Sequence, residues 1–331
     1  MQSKWENLTF KDDLDERVYS SHLLGSVPDL VLHGGGNTSV KTEEILHTGK
    51  KAAVLRVKGS GSDLATIRRE GFTGIRMEDL LAAKNISEMS DQEMVDYMKK
   101  SMVDPSEPSP SVETFLHAFL PFKFVDHSHA DSILAITNRN VSQDEIRSIF
   151  GKVIVIPYFP PGFKLARSVL ERLDSLGPDT EGIILEKHGL FTFGDSAKES
   201  YERHIGLVTK AEEFIRKNVR EKIFTPKFKE SSTESISDFL PAIRGMISKK
   251  SKKIMHFDTS PEALEIASSE EAEKFTGRGP ATPDMIIRTK HDYIYCSDLK
   301  DLGKQIGEYE KKYEEEYSRY VSNFPMHDPF P

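Results

Sequence analysis

The stretch FKFVDHSHA, residues 122–130, carries two histidines, His127 and His129, in a run with the composition of a β-strand. In an extended segment alternate side chains point to the same face, so the two imidazoles could converge on one metal ion. On a helix the same spacing would splay the two rings apart. A chance pair is the alternative, because the chain contains 11 histidines in 331 residues. The rest of the sequence must therefore decide between a metal site and two polar strand residues.

Around this stretch, segments with strand and helix patterns alternate along the chain. Apolar, β-branched runs predict strands at 52–58, 122–130 and 152–158, and a strand pair or bent strand at 181–194. Apolar residues at three-to-four spacing predict helices at 91–102, 111–120, 163–176 and 196–220. This order predicts an α/β domain with a central sheet covered by helices.

The composition of the sequence changes after about residue 225. Residues 225–239, TPKFKESSTESISDF, are polar and serine-rich, as in a linker or surface loop. We therefore predict a first domain at 1–225 and a smaller C-terminal extension at 226–331, in which a linker leads into a small α/β region.

Composition excludes several classes of protein. A formal charge of −8 argues against a nucleic-acid partner, which would be met by a basic surface. The sequence has no apolar run of membrane-spanning length and no signal-peptide pattern at the N-terminus, so we expect a cytoplasmic protein without a membrane partner. Cys296 is the only cysteine, so histidines and carboxylates would have to hold any metal.

Two glycine-bearing loops follow apolar runs. VLHGGGNTSVK, residues 31–41, and KGSGSDL, residues 58–64, could present backbone amides and short polar side chains to a phosphate. Neither loop matches G-x-G-x-x-G, and the chain has no G-x-x-x-x-G-K-[ST], so the usual dinucleotide and P-loop sites are disfavoured. Plain turns are the alternative for both loops.

Two further residues could complete a site. In PSPSVETFLH, residues 108–117, Ser111 is a candidate helix N-cap and Glu113 lies in the predicted first turn, where the helix dipole alone would favour a glutamate. His188, in EKHGLFTFG, comes at the end of an apolar strand. A third imidazole is what His127 and His129 need, because catalytic zinc typically has three protein ligands and an open position.

Taken together, these elements resemble the class II aldolase/adducin family. In chain order they are GGGNTS, GSGSD, PSVE, HSH and KHGLFTFG, and the resemblance covers roughly residues 20–220. It implies a class II aldolase-like sheet with helices on both faces, His127, His129 and His188 as zinc ligands, and Glu113 as the catalytic acid/base. It also implies a phosphate site made by Gly36, Asn37, Gly59, Ser60, Gly61 and Ser111.

Two residues depart from the family pattern or fit it loosely. Val112 stands where many members have a second serine before the glutamate, which removes one phosphate donor. Family members also use a tyrosine of a neighbouring subunit as proton donor, and Tyr158 in PYFPPGF is a candidate for that role.

A narrower resemblance concerns the possible substrate. GGGNTSVK, GSGSDL, PYFPPGF and GRGPATPD are similar to the aldolase portion of proteins that join rhamnulose-phosphate aldolase to a short-chain dehydrogenase, here without the dehydrogenase half. This implies zinc-dependent cleavage of a ketose 1-phosphate, L-rhamnulose 1-phosphate, to dihydroxyacetone phosphate and an aldehyde through a metal-stabilised enediolate.

Alternatives stay open at this point. A sugar-phosphate 4-epimerase would use the same retro-aldol step, and an adducin-like module would keep the fold without catalysis. Cobalt or manganese could replace zinc on three imidazoles. The family commonly forms ring-shaped tetramers, so the resemblance also implies a homo-oligomer acting on a small sugar phosphate.

Overall fold

A seven-stranded sheet dominates the first two thirds of the computed structural model, which describes residues 1–219, 224–227, 237 and 239–322. Its strands in chain order are β1 Asn37–Ile45, β2 Lys51–Lys58, β3 Phe72–Arg76, β4 Phe124–Ser128, β5 Val153–Ile156, β6 Gly182–Leu185 and β7 Gly189–Gly194. In space the order is β3-β2-β1-β4-β7-β6-β5, so β4 is the middle strand. Neighbouring strands are antiparallel except for β5 and β6, which are parallel.

Helices cover both faces of this sheet. In chain order they are α1 Asp13–Gly25, α2 Met77–Ala82, α3 Asp91–Lys100, α4 Thr114–Phe119, α5 Asp131–Thr137, α6 Gln143–Phe150, α7 Phe163–Leu170 and α8 Ala197–Asn218. One hydrophobic core packs α2, α3, α4 and α7 against the sheet, and a second core packs α1, α5, α6 and α8 against it. The predicted α/β fold, with a central sheet between two helical layers, is confirmed.

Strand β4 shows how alternation places the polar residues of the middle strand. All five of its residues are buried. Phe124 belongs to the core with α1 and α8, whereas Val125 belongs to the core with α4 and α7. By the same alternation Asp126 and Ser128 face the α1 and α8 layer, and His127 faces the α4 layer.

Helix α4 begins later than the sequence pattern predicted. Ser111 pairs with strand β2 instead, since its backbone amide donates to the Lys58 carbonyl at 3.2 Å. Pro110 forms an isolated bridge with Gly59 just beside it. Glu113 therefore occupies the N-cap position of α4 rather than its first turn.

Further helices follow in the C-terminal third of the described chain. They are α9 Leu240–Ile247, α10 Pro261–Ala267, α11 Ala272–Thr276, α12 Pro283–Ile286 and α13 Leu302–Tyr320. Backbone contacts group Met1–Val219 with Ala281–Ile287, which contains α12, and group the remaining residues into a second unit. In that second unit the described residues form helices and an isolated bridge between Pro226 and Ser269. The domain boundary at residue 225 and the small α/β region after it stay predictions.

Among the described residues, the helices are all too short or too polar to cross a lipid bilayer.

Candidate metal centre

His127 and His129 meet at the end of the middle strand. Their Nε2 atoms lie 3.0 Å apart. His127 is fully buried in β4, and its Nδ1 lies 3.0 Å from the Leu190 carbonyl of β7. A carbonyl can only accept, so this contact puts the ring proton on Nδ1 and leaves Nε2 as a bare acceptor.

His188 reaches the same point from the neighbouring hairpin. Residues 186–188 connect β6 to β7, and Lys187 takes a left-handed conformation with φ 57°. The residue after His188 must be glycine, because a Cβ on Gly189 would lie 3.1 Å from a carbon of the His127 ring and 2.3 Å from the Ser128 carbonyl. The H-G pair in the sequence therefore supplies both an imidazole and the space that the neighbouring rings need.

Glu113 closes the cluster from the α4 side. Its Oε2 lies 3.2 Å from His127 Nε2, and its Oε1 lies 3.1 Å from His188 Nε2. Asn37, at the start of β1, donates through Nδ2 to Glu113 Oε2 at 2.6 Å. One ligating atom from each of Glu113, His127, His129 and His188 falls within 4.8 Å of all the others.

Electrostatics favour a neutral His127 and an ionised Glu113. Burial lowers the pKa of His127 well below its ordinary value. Burial alone would raise the pKa of Glu113, but positive charge at the positions of His127 and His188 outweighs it and lowers that pKa well below its ordinary value; with neutral imidazoles, a bound cation would supply that charge. Both residues thus present lone pairs at neutral pH, as metal ligands must.

The donor set fits a divalent cation. His129 Nδ1 contacts the Asp284 carboxylate, so its proton is also held on Nδ1 and its Nε2 is bare. Two bare nitrogens and a carboxylate that face each other at 3.0 to 3.2 Å repel unless a cation lies between them. Atoms that share one tetrahedral zinc at about 2.1 Å lie about 3.4 Å apart, close to these separations. Among the described residues, Glu113 Oε1 and His188 Nδ1 also lack a hydrogen-bond partner.

Sequence reasoning missed two residues that support the cluster. Asp284 lies 155 positions after His129, in the motif GRGPATPD, and the sequence suggested no role for this residue itself. His117 ends the stretch PSPSVETFLH and was given no role from the sequence, yet its Nε2 contacts Asn37 Oδ1 and its Nδ1 lies 2.8 Å from Ser39 Oγ. The available signal was the need of a metal-bound histidine or a buried carboxylate for a second polar partner.

The residues proposed from the sequence to bind phosphate lie in two adjoining loops. The amides of Gly59 and Ser60 donate to the carbonyls of Gly71 and Ser109, both at 2.7 Å. Ser60 and Gly61 are exposed, and Ser111 is half-buried. The Gly59 and Ser60 amides are therefore already engaged, whereas the hydroxyl groups of Ser60 and Ser111 can still donate to a phosphate.

The other two residues of that predicted phosphate site lie beside the metal cluster. Gly36 has φ +57°, and a Cβ there would lie 2.8 Å from the His127 carbonyl. The Asn37 side chain is occupied by Glu113 and His117. Tyr158, the candidate proton donor, follows edge strand β5 with 52% of its surface exposed and lies outside the four-residue cluster. Its role stays a prediction.

Comparison with protein families identifies both parts of the chain. Residues 16–215 match the family described as "Class II Aldolase and Adducin N-terminal domain", and residues 234–330 match "Aldolase class II, second domain". The first match covers more than half of the chain.

Individual relatives agree with this assignment. A solved structure titled as the N-terminal class II aldolase domain of a conserved protein from Thermoplasma acidophilum is 61% identical, with a TM-score of 0.63, over 65% of this chain and 100% of that one. A curated Bacillus subtilis (strain 168) protein named "Uncharacterized oxidoreductase YuxG" is 34% identical over 93% of this chain. The match spans 47% of the length of that relative. The chain belongs to the class II aldolase and adducin family.

Proposed function

We propose that this protein is a metal-dependent aldehyde-lyase that cleaves a ketose 1-phosphate to dihydroxyacetone phosphate and an aldehyde. The observation that carries the proposal is the convergence of one possible ligand atom from each of His127, His129, His188 and Glu113, all within 4.8 Å of one another. L-Rhamnulose 1-phosphate is the proposed substrate because of the motifs shared with rhamnulose-phosphate aldolases.

The three imidazoles would hold a divalent cation, for which zinc is our first choice and cobalt or manganese the alternatives. Bound there, the cation supplies Lewis acidity beside substrate oxygens. The ligand set suits that task, since three neutral imidazoles leave the charge of the ion undiminished.

Glu113 is the proposed acid/base. It is ionised, 3% exposed and held through Asn37, so it can take a proton from a substrate hydroxyl or carbon and return it later. The environment that keeps it ionised also excludes bulk water, which protects a reactive carbanion from uncontrolled protonation.

The substrate phosphate would lie against the loops at 58–61 and 108–111. Ser111 belongs to one loop and stands two residues before Glu113, while Ser60 belongs to the other. The Gly59 and Pro110 bridge keeps the two loops together. A phosphate bound at this junction would fix the reacting carbons relative to Glu113, which converts remote binding energy into orientation.

The experiment measures dihydroxyacetone phosphate release from L-rhamnulose 1-phosphate with chelator-treated protein, before and after zinc is restored. Zinc-dependent release is the expected result. Glu113→Gln should lower kcat by about 100-fold or more, the usual contribution of a positioned acid/base. Glu88→Gln, at an exposed position, is the matched control and should leave kcat unchanged.

Other outcomes distinguish the alternatives. Formation of the C4 epimer with no free aldehyde would identify an epimerase. Failure to take up zinc, cobalt or manganese would reject catalysis by this site and favour a non-catalytic module. Light scattering tests the proposed homo-oligomer, for which a tetramer is the expected state.

A further inference from the structure

One carboxylate outside the four-residue cluster contacts both the cluster and the first glycine loop. Asp284 Oδ1 contacts His129 Nδ1, and Asp284 Oδ2 accepts from the Leu32 backbone amide at 2.7 Å. The residue is 2% exposed. Each oxygen thus has its own donor, one on a ring of the cluster and one at the start of the loop that leads to Gly36.

The glycine loop is shaped to admit this carboxylate. A Cβ on Gly35 would lie 1.7 Å from Asp284 Oδ1 and 2.1 Å from its carboxyl carbon. Gly35 does not have a positive φ, so space rather than backbone conformation requires glycine here. Gly35 and Asp284 therefore act as a matched pair: the missing side chain of one makes room for the other.

The segment that carries Asp284 is anchored independently of the carboxylate. Thr282 Oγ1 accepts from the Met285 amide at 3.3 Å and caps the short helix α12. Asn138 Nδ2 donates to the Ala281 carbonyl at 2.8 Å. These contacts hold the segment whether or not Asp284 keeps its charge, so they provide controls that loosen the segment without changing the carboxylate.

We propose that Asp284 is a positioning residue for the metal ligand His129: it holds the proton on Nδ1, fixes the ring orientation and aims Nε2 at the cation. Its other oxygen fixes Leu32, so the same carboxylate sets the glycine loop relative to the metal centre. The proposal rests on the metal site of the proposed function but not on the identity of the substrate. Partners of this kind typically change metal affinity by about 10- to 100-fold.

The test compares metal binding by full-length wild type, Asp284→Asn, Gly35→Ala, Asn138→Ala and Thr282→Ala. Zinc affinity is measured by competition with a chromophoric chelator, and ligand geometry by the visible absorption spectrum of the cobalt-loaded protein. Asparagine has the shape of aspartate but only one oxygen for two donors, so Asp284→Asn tests the carboxylate with little risk to folding. Denaturant unfolding of metal-free protein checks that each variant is folded.

We expect Asp284→Asn and Gly35→Ala each to weaken zinc binding by about 10- to 100-fold and to alter the cobalt spectrum in the same direction. Because the two changes disrupt one contact, the double variant should lose little more than either single variant. Asn138→Ala and Thr282→Ala should keep wild-type zinc affinity.

Wild-type affinity and spectrum in folded Asp284→Asn would overturn the proposal. Equal weakening by Asn138→Ala would also overturn it, since the effect would then come from the segment rather than from the carboxylate. If Asp284→Asn weakens zinc binding as expected while no sugar phosphate is cleaved, only the proposed function fails. If wild type binds none of the metals, both proposals fail.

Discussion

Asn37 couples Glu113 to a buried histidine: its Nδ2 donates to Glu113 Oε2 at 2.6 Å while its Oδ1 contacts Nε2 of His117. Burial lowers the pKa of His117 to about 3, so the ring is neutral and its Nε2 proton is donated to Asn37. The remaining ring nitrogen, Nδ1, accepts from Ser39 Oγ at 2.8 Å. Strand β1 thus orients the proposed acid/base through a chain of directed hydrogen bonds.

The first prediction concerns this hydrogen-bond chain. Asn37→Ala leaves both Glu113 and His117 without a partner and should lower kcat/KM by about 10- to 100-fold, the cost of about 1–3 kcal/mol per buried group left unsatisfied. Ser39→Ala removes only the hydrogen bond to His117 Nδ1, at the end of the chain away from Glu113, and should lower kcat/KM less. Steady-state kinetics on zinc-loaded protein measures both, and equal losses would contradict an ordered chain.

The second prediction concerns Gly36, where a side chain would both strain the backbone and meet the His127 carbonyl at 2.8 Å. Gly36→Ala should therefore lower zinc affinity as well as stability. Gly49 is the matched control, because it has φ +79° but no atom within 4 Å of an added Cβ. Gly49→Ala should cost about 1 kcal/mol of unfolding free energy from backbone strain alone, with unchanged zinc affinity. Chelator competition measures zinc affinity and urea unfolding measures stability. Equal losses of zinc affinity in Gly36→Ala and Gly49→Ala would contradict the steric argument.

The third prediction concerns the buried ion pair beneath the middle strand. Arg17 Nη2 lies 2.5 Å from Asp126 Oδ1, and both side chains are fully buried. Arg17→Met alone should lower the unfolding free energy by about 3–5 kcal/mol, because it leaves an uncompensated buried charge. Adding Asp126→Leu to that variant should recover part of the loss. Urea unfolding measures this, and a double variant no more stable than the single one would argue against an ion pair.

The fourth prediction concerns acid stability. Burial lowers the pKa of His204 from 6.5 to about 3, and its ring nitrogens lie 2.7 Å and 2.9 Å from the hydroxyls of Ser128 and Thr192. Below pH 6.5 the unfolded chain binds a proton here that the folded chain does not, so stability is complete above pH 6.5 and is lost as the pH falls toward 3.

Lowering the pH from about 7.5 to about 5.5 should therefore reduce the free energy of unfolding by about 1.4 kcal/mol through His204 alone. In His204→Gln this contribution disappears, while the other histidines titrate as in wild type. Urea unfolding of metal-free protein at the two pH values measures the difference. Identical pH dependence in both proteins would show that His204 is not held neutral.

Much of the fold was predictable because its signal is local. The buried runs at 52–58 and 152–158 became β2 and β5, and the strand pair at 181–194 became the β6–β7 hairpin. The start of α4 was misplaced because backbone pairing of Ser111 with Lys58, a contact between distant segments, outweighed the local capping pattern.

In the candidate site, too, local motifs indicated some residues, whereas contacts between distant segments determine the others. His127, His129, His188 and Glu113 could be proposed from short motifs, and the structure brings all of them together. Asp284 could not, because nothing in ATPD indicates which distant side chain it meets. The Asn37 side chain was assigned to phosphate, whereas its orientation toward Glu113 depends on how β1 pairs with β4.

The hairpin turn at residues 186–188 also determines where this chain can change length. His188 is itself one of the three turn residues, and it is aligned with the middle strand by the pairing of Ser128 with Leu190. An insertion in this turn would displace the imidazole from its partners. The exposed residues 177–179, in the connection between β5 and β6, carry no such constraint. An insertion library should therefore tolerate added residues there and reject them in the turn, which gives protein engineers a site for inserting tags or new loops.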